Sequence, residues 1–322
     1  MVLLGHTHTH EFALGGTTDQ VGNPWALDRS AGGSSGGSAA ALAARMAPAA
    51  TGSDTAGSLR IPSALCGTST IKPTRGLLPL RGVVPLSIAL DHAGPMARTV
   101  EDCALLLAGM GGPGAAKASL AGARLGVSPR VGDLDPDVAA GFDAALVACR
   151  RAGATLVEVP PLPDRADEYY AVLAADVLAW HRRFDARREL YRPAIREFVE
   201  LAEEQTLSAE GYVRAQLLRA DDAERLEGWL AAERVAALLE PTVPVVAEAR
   251  GHGYDRARSD LDLISLTYHW NWTGHPVVAL PSGLGARSGL PTSVSLIGPL
   301  GAEAQLLGLG IELQARLGVP AL

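Results

Sequence analysis

Lysine is nearly missing from this sequence. Only Lys72 and Lys117 occur in 322 residues, and the other 26 basic side chains are arginines. Acidic residues outnumber basic ones, 35 to 28, giving a formal charge of −7. With no basic cluster beyond a solvated helix face, that balance excludes the electrostatic footprint of a nucleic-acid binder. Cysteine is scarce too: Cys66, Cys103 and Cys149 stand far apart in apolar surroundings, with no CxxC pair. They read as reduced core residues of a cytoplasmic protein, not as disulfide partners or zinc ligands. No apolar run reaches the roughly 18 residues of a membrane span, and no charged region leads into an apolar one at the N-terminus. No internal repeat and no low-complexity tail is present.

What is there suits a large packed core. Hydrophobic residues make up 48% of the chain and charged ones 20%, so disorder is not indicated. Met1–Leu4 reads as a buried strand, Ser38–Met46 as a helix and Thr68–Ile71 as a strand closed by the Lys72–Gly76 turn. Thr99, Glu101 and Asp102 cap a helix running to Met110. Arg124–Val127 is a strand, Asp137–Gly153 a helix by its apolar spacing, and Thr155–Val159 an alternating strand. Residues 165–239 are mostly helical, strands return at Pro241–Val246, Val277–Pro281 and Val294–Ile297, and Ala302–Leu317 is a closing helix. The expectation is α/β architecture, strands crossed by helices, in a single domain over 1–322. Within it, 1–135 forms the core with the candidate chemistry, about 165–265 a helical elaboration shaping a cleft, and 266–322 the strands and helix that complete the core.

The chemistry lies in two glycine turns. Gly32-Gly33-Ser34-Ser35-Gly36-Gly37-Ser38 and Gly52-Ser53-Asp54-Thr55-Ala56-Gly57-Ser58-Leu59-Arg60 place Ser34 and Ser58 24 residues apart. Glycine beside serine opens backbone conformations closed to other residues and brings N–H groups close to a ligand. A nucleophilic serine requires such donors, aimed at the oxyanion that forms when it attacks a carbonyl. A flexible Gly/Ser linker is the bland alternative, but linkers do not need Asp54, Arg60 or Ile61-Pro62.

These stretches resemble the amidase signature family. The likeness continues through Pro62 to Cys66-Gly67, Lys72-Pro73-Thr74-Arg75-Gly76 and Asp91-His92-Ala93-Gly94-Pro95-Met96-Ala97-Arg98. It returns at Asn271-Trp272-Thr273-Gly274-His275-Pro276 and Gly289-Leu290-Pro291. The resemblance implies a mixed β-sheet core covered by helices, and hydrolysis of a small-molecule carboxylic acid amide through a seryl acyl-enzyme, without a cofactor or metal. By it, Ser58 is the nucleophile and Ser34, after a cis peptide bond, the proton relay. The N–H groups of Thr55, Ala56, Gly57 and Ser58 form the oxyanion hole, and Ser35, Ser53, Asp54 and Arg60 support the turns. Ala56 stands where the family usually has glycine. The larger departure is the base. The family uses a lysine well ahead of the relay serine, yet the 33 residues before Ser34 contain none. Lys72 belongs to the Lys-Pro-Thr turn and reads as structural, and Lys117 as exposed. The expectation is a chain lacking the family's N-terminal segment, by a shortened gene product or a start assigned too late.

Four other readings compete with this one. A truncated paralogue keeps the cleft but cannot turn over. A glutamyl-tRNA amidotransferase A-subunit-like protein is disfavoured by Ile61 where that subunit typically has glutamine. A metal-dependent amidohydrolase would use His6 and His8 on a strand, with His10 explained by the amidase match. A Ser–His–Asp hydrolase would join Ser58 to His92 and Asp91 without a Gly-x-Ser-x-Gly elbow. Trp180, Tyr191, Trp229 and Tyr268 are candidates to line an apolar acyl pocket. No nucleic-acid or membrane partner is expected, and a homo-oligomer is. The apolar Val2–Leu4 segment with an open edge favours self-association; light scattering should show more than a monomer, and a monodisperse, cooperatively melting monomer would count against this.

Overall fold

The computed structural model describes residues 2–128, 133–204, 207–251 and 263–322. A short antiparallel ribbon comes first, β1 (Gly22–Asn23) with β2 (Ala26–Ser30). The sheet is built from β3 (Ala49–Asp54), β4 (Ser69–Lys72), β5 (His92–Ala97), β6 (Arg124–Val127), β7 (Thr155–Glu158), β8 (Ala237–Pro241), β9 (Val277–Leu284) and β10 (Pro291–Ile297). Their order is β3-β5-β4-β9-β10-β8-β6-β7. Pairing is antiparallel from β3 across to β8 and parallel for β6 with β8 and β7. The sheet is therefore mixed, as the sequence led us to expect.

Helices cover both faces. They are α1 (Gly36–Ala43), α2 (Arg60–Cys66), α3 (Val100–Gly109), α4 (Pro136–Arg151), α5 (Ala166–His181), α6 (Pro193–Glu204), α7 (Ala209–Ala232), α8 (Tyr268–Trp272) and α9 (Glu303–Leu317). Alternation along the strands divides the core. Ile71, Val278, Leu280 and Leu296 pack with α3, α4 and α9, while Val277, Ile297 and Leu238 pack with Trp270 and α7 on the other side. A third cluster joins α5, α6 and α7 to α2 and to Leu86 and Leu90. Cys66, Cys103 and Cys149 are buried free thiols.

The capped helices form close to where they are read: Thr99 accepts from Asp102 N at 3.0 Å, and Asp135 caps α4 ahead of Pro136. Three expectations fail. Val2, Leu3 and Leu4 are not a strand and are 80%, 82% and 74% exposed. A strand exists through the N–H and C=O groups of its neighbours, and among the described residues none pairs with this segment. Met1 lies outside the described residues. The strand expected at 241–246 lies earlier, at 237–241, because Ala237, Leu238 and Leu239 find buried ladder partners whereas Pro241 and Pro244 lack an N–H. The helical region expected to reach 239 accordingly stops at Ala232. Finally, Gly52–Asp54, read as part of the second glycine turn, belongs to β3, and β5 forms in a segment where no strand is expected.

Residues 7–10 lie along the first glycine turn. Gly37 N donates to His8 O (3.0 Å), His10 N to Ser34 O (3.1 Å), and Thr7 and Ser38 share a hydroxyl hydrogen bond of 2.8 Å. His10 itself is buried, and burial pushes its imidazole down to about 4, with Arg192 adding to the effect. The unfolded imidazole titrates near 6.5, so between about pH 6.5 and 4 the unfolded state binds more protons. Stability from a neutral His10 is present above that window and lost as pH falls through it. In urea titrations, the wild type should lose about 3 kcal/mol relative to His10→Gln between pH 7 and 4; parallel pH profiles for the two proteins would refute this.

Candidate active site

The two glycine turns meet. Ser35 N donates to Ser58 O at 3.3 Å, and Ser35 Oγ to Ser53 O at 3.4 Å. Ser38 Oγ ties the start of α1 to β3 through Thr51 O at 3.0 Å. The Gly33–Ser34 peptide bond is cis. A Cβ on Gly33 would stand 2.4–2.7 Å from the Thr17 backbone, so only glycine fits there. Thr9 and Thr18 hydroxyls, with His10 N, donate to Ser34 O. Ser34 is fully buried, and among the described residues its hydroxyl has no hydrogen-bond partner. Ser58 is also buried, at the entry to α2.

Between Asp54 and Arg60 the chain makes a loop whose two ends are locked together. Arg60 Nε and Nη2 reach the two carboxylate oxygens of Asp54 at 3.0 and 2.8 Å, and Leu59 N donates to the same carboxylate at 3.1 Å. Both side chains are wholly buried. Burial alone would raise the Asp54 carboxyl; the Arg60 guanidinium outweighs it, aided by Lys72 and Asn271, and holds Asp54 below the usual carboxylate range. Arg60 also donates to Thr267 O (2.9 Å) and Asn271 Oδ1 (2.6 Å).

Four successive carbonyls of this loop are each tied back. Asp54 O accepts from Asn271 Nδ2 (2.9 Å), Thr55 O from the Tyr169 hydroxyl (2.9 Å), Ala56 O from the Thr267 hydroxyl, and Gly57 O from Ile61 N (2.7 Å). A trans peptide is planar, with N–H opposite C=O. Holding the carbonyls of 54–57 therefore aims the N–H groups of Thr55, Ala56, Gly57 and Ser58 the other way, and among the described residues these take no protein acceptor. Gly57 has φ +137°, and a Cβ there would come within 2.5 Å of the Thr267 hydroxyl. The methyl of Ala56 is accommodated, partly buried against the α5 cluster.

Neither lysine bonds to a candidate serine. Lys72 is buried at the end of β4, where burial and then Arg60 push its amine well down, and its Nζ donates to Pro73 O at 3.2 Å. Lys117 is exposed. His92 Nδ1 lies 2.7 Å from Leu90 O, and Asp91 accepts from Thr55 Oγ1 (2.6 Å), Leu86 N (2.9 Å) and Ser87 N (3.1 Å). No Ser58–His92 bond forms, so the Ser–His–Asp arrangement is not assembled. Burial raises the Asp91 carboxyl to about 6 against the pull of those hydrogen bonds. His6 and His8 are exposed on irregular chain, so the strand-borne pair that a metal site requires is absent, and among the described residues no group of three or more His, Cys, Asp or Glu converges. Of the four candidate pocket aromatics, Trp180 lines a cavity, while Tyr191 packs on His181 and Phe12, Tyr268 on Tyr169, and Trp229 joins the α7 cluster.

Known proteins resemble this chain in sequence and fold. A profile described as Amidase matches residues 1–307. The chain belongs to the amidase signature family. The A subunit of glutamyl-tRNA(Gln) amidotransferase from Alkalilimnicola ehrlichii is 35% identical, over 98% of this chain and 74% of that one. A crystal structure of an amidase superposes with TM-score 0.86 at 32% identity, covering 96% of this family member and 73% of that chain. The structure of 6-aminohexanoate cyclic dimer hydrolase gives TM-score 0.86 at 29% identity, over 98% and 75%. Family and neighbours support amide hydrolysis as the reaction class. Among the described residues no helix of this amidase-family chain is long and apolar enough to cross a membrane.

Sequence reasoning missed Tyr169, Thr267 and the role of Asn271. Only Asn271 carried a signal, through its Asn-Trp-Thr-Gly-His-Pro stretch; the other two reach the site through tertiary contact alone. Removing one partner of the buried pair leaves a lone charge. Arg60→Ala should cost about 3–5 kcal/mol in urea unfolding, and Asp54→Ala combined with it should cost less than the sum of the single variants. Additive costs would show that the two charges are not coupled.

Proposed function

We propose that the chain cleaves a small-molecule carboxylic acid amide to the acid and ammonia or an amine through an acyl-enzyme on Ser58. The observation that carries this is the set of N–H groups of residues 55–58, oriented by four anchored carbonyls beside a buried serine. Ser58 Oγ attacks the amide carbon and its proton passes to the Ser34 hydroxyl. The N–H groups take the oxyanion, where one lost donor typically costs roughly 10²–10³ in rate. The Ser34 hydroxyl hands a proton on to the leaving nitrogen as the C–N bond breaks, and water then adds to the acyl carbon, returning a proton to Ser58 Oγ as the acid leaves. In this reading Ser35, Ser53, Asp54 and Arg60 hold the two turns in register, and α5, α6 and α7 shape the substrate cleft of a single cytoplasmic domain. The relatives named as a subunit keep a protein partner open alongside a second copy of the chain.

One observation favours a second reading, an impaired or inert amidase. Among the described residues the Ser34 hydroxyl has no partner to receive its proton, and an activated serine depends on an adjacent base. A fluorophosphonate probe followed by intact mass separates the cases. The purified chain should gain one label, lost in Ser58→Ala and slowed about 10²-fold or more in Ser34→Ala. With a chromogenic anilide, steady turnover supports the hydrolase, and one equivalent of product followed by a stall supports the impaired form. A folded protein that takes no label would overturn Ser58 as nucleophile.

A further inference from the structure

A cavity of about 480 Å³ opens between the 80–91 segment and Trp180 at the end of α5. Its walls are Leu80, Val83, Val84, Pro85, Ile88 and Trp180, and its one ionisable lining group is Asp91. Val84 and Ile88 are 56% and 69% exposed, an apolar surface that water covers only at a cost. The volume falls in the range of small-molecule sites, roughly 300–1,000 Å³.

This cavity is wired to the candidate nucleophile loop. Asp91, on its wall, accepts the Thr55 hydroxyl at 2.6 Å. One face of α5 then runs from the loop to the cavity, because residues three or four apart share a helix face. Tyr169 on that face holds Thr55 O, and Asp176 two turns on accepts from Ser87 Oγ (2.6 Å) and Ala89 N (2.9 Å). Trp180, one turn further, is the cavity wall. The 80–91 segment, α5 and the Thr55 turn are thus one hydrogen-bonded unit.

The lining chemistry selects the ligand. No lysine or arginine lines the cavity; the Arg183 guanidinium lies over the Trp180 ring, 3.4 Å from its centroid, but is not part of the lining. An anionic arm entering here meets the Asp91 carboxyl and finds no cation. From this we infer that the cavity takes the apolar, uncharged alkyl or aryl arm of the amide substrate, making the 80–88 segment and Trp180 its specificity-determining wall. The assignment rests on reading Ser58 as the nucleophile.

The test is equilibrium binding of 4-(trifluoromethyl)phenylacetamide followed by its ¹⁹F line width, with glutaramate as the anionic competitor. The aryl amide should broaden with wild-type protein and with Ser58→Ala. Ile88→Arg and Val84→Asp, both at exposed positions, should each weaken it about tenfold or more while leaving the circular dichroism melt unchanged. Glutaramate should not compete. Undiminished binding in both folded variants, or displacement by glutaramate at equal concentration, overturns the proposal. Absence of fluorophosphonate labelling would instead sink the nucleophile reading, while the ¹⁹F result would still report on the cavity.

Discussion

The structure turns on one buried ion pair. Asp54 ends β3 and Arg60 begins α2, and their contact closes the loop that carries Ser58. Two charges withdrawn from water are tolerable only when geometry and further hydrogen bonds satisfy them. Leu59 N, Asn271 and Thr267 O supply those bonds, and in doing so they fasten α8, from the far end of the chain, onto the loop. The polar demand of the pair thus recruits residues more than 200 positions away.

Around that pair, backbone planarity does the rest. The donors of residues 55–58 are not positioned by contacts of their own but by what holds the carbonyls before them. Those holders come from three places: Asn271 and Thr267 near α8, Tyr169 on α5, and Ile61 within α2. Because Tyr169 sits on the same helix face as Asp176 and Trp180, the helical layer is continuous with the chemistry instead of a mere cover. A disturbance of α5 reaches the loop through a single hydroxyl.

Much of the fold was legible where local physics is strong. Thr99 announces a helix because a cap satisfies orphan N–H groups within one turn, and α4 shows its apolar face in the spacing of Val138, Phe142, Ala145 and Cys149. Strands β3 and β5 were not legible. Ala-Ala-Thr-Gly-Ser-Asp and His-Ala-Gly-Pro-Met-Ala have turn-like composition, and only their mutual register, Gly52 against Gly94 and Asp54 against His92, makes them strands. Strand preference reflects fit to neighbours more than intrinsic tendency. The apolar Val2–Leu4 segment errs the opposite way: its composition suits a strand, but among the described residues no partner stands beside it.

The sequence alone determined which chemical groups exist: two serines in glycine turns, one Asp–Arg couple around the second, and no lysine ahead of either. Composition and motif are local properties, and no folding changes them. Tertiary structure decided what those groups face. It buried Lys72 against Pro73 O, left the Ser34 hydroxyl without an acceptor among the described residues, and brought Tyr169 and Thr267 to carbonyls more than 100 residues away. Such placements depend on packing between elements distant in the chain, and a hydrogen bond's partner is set by three-dimensional distance and direction, which residue order does not encode locally.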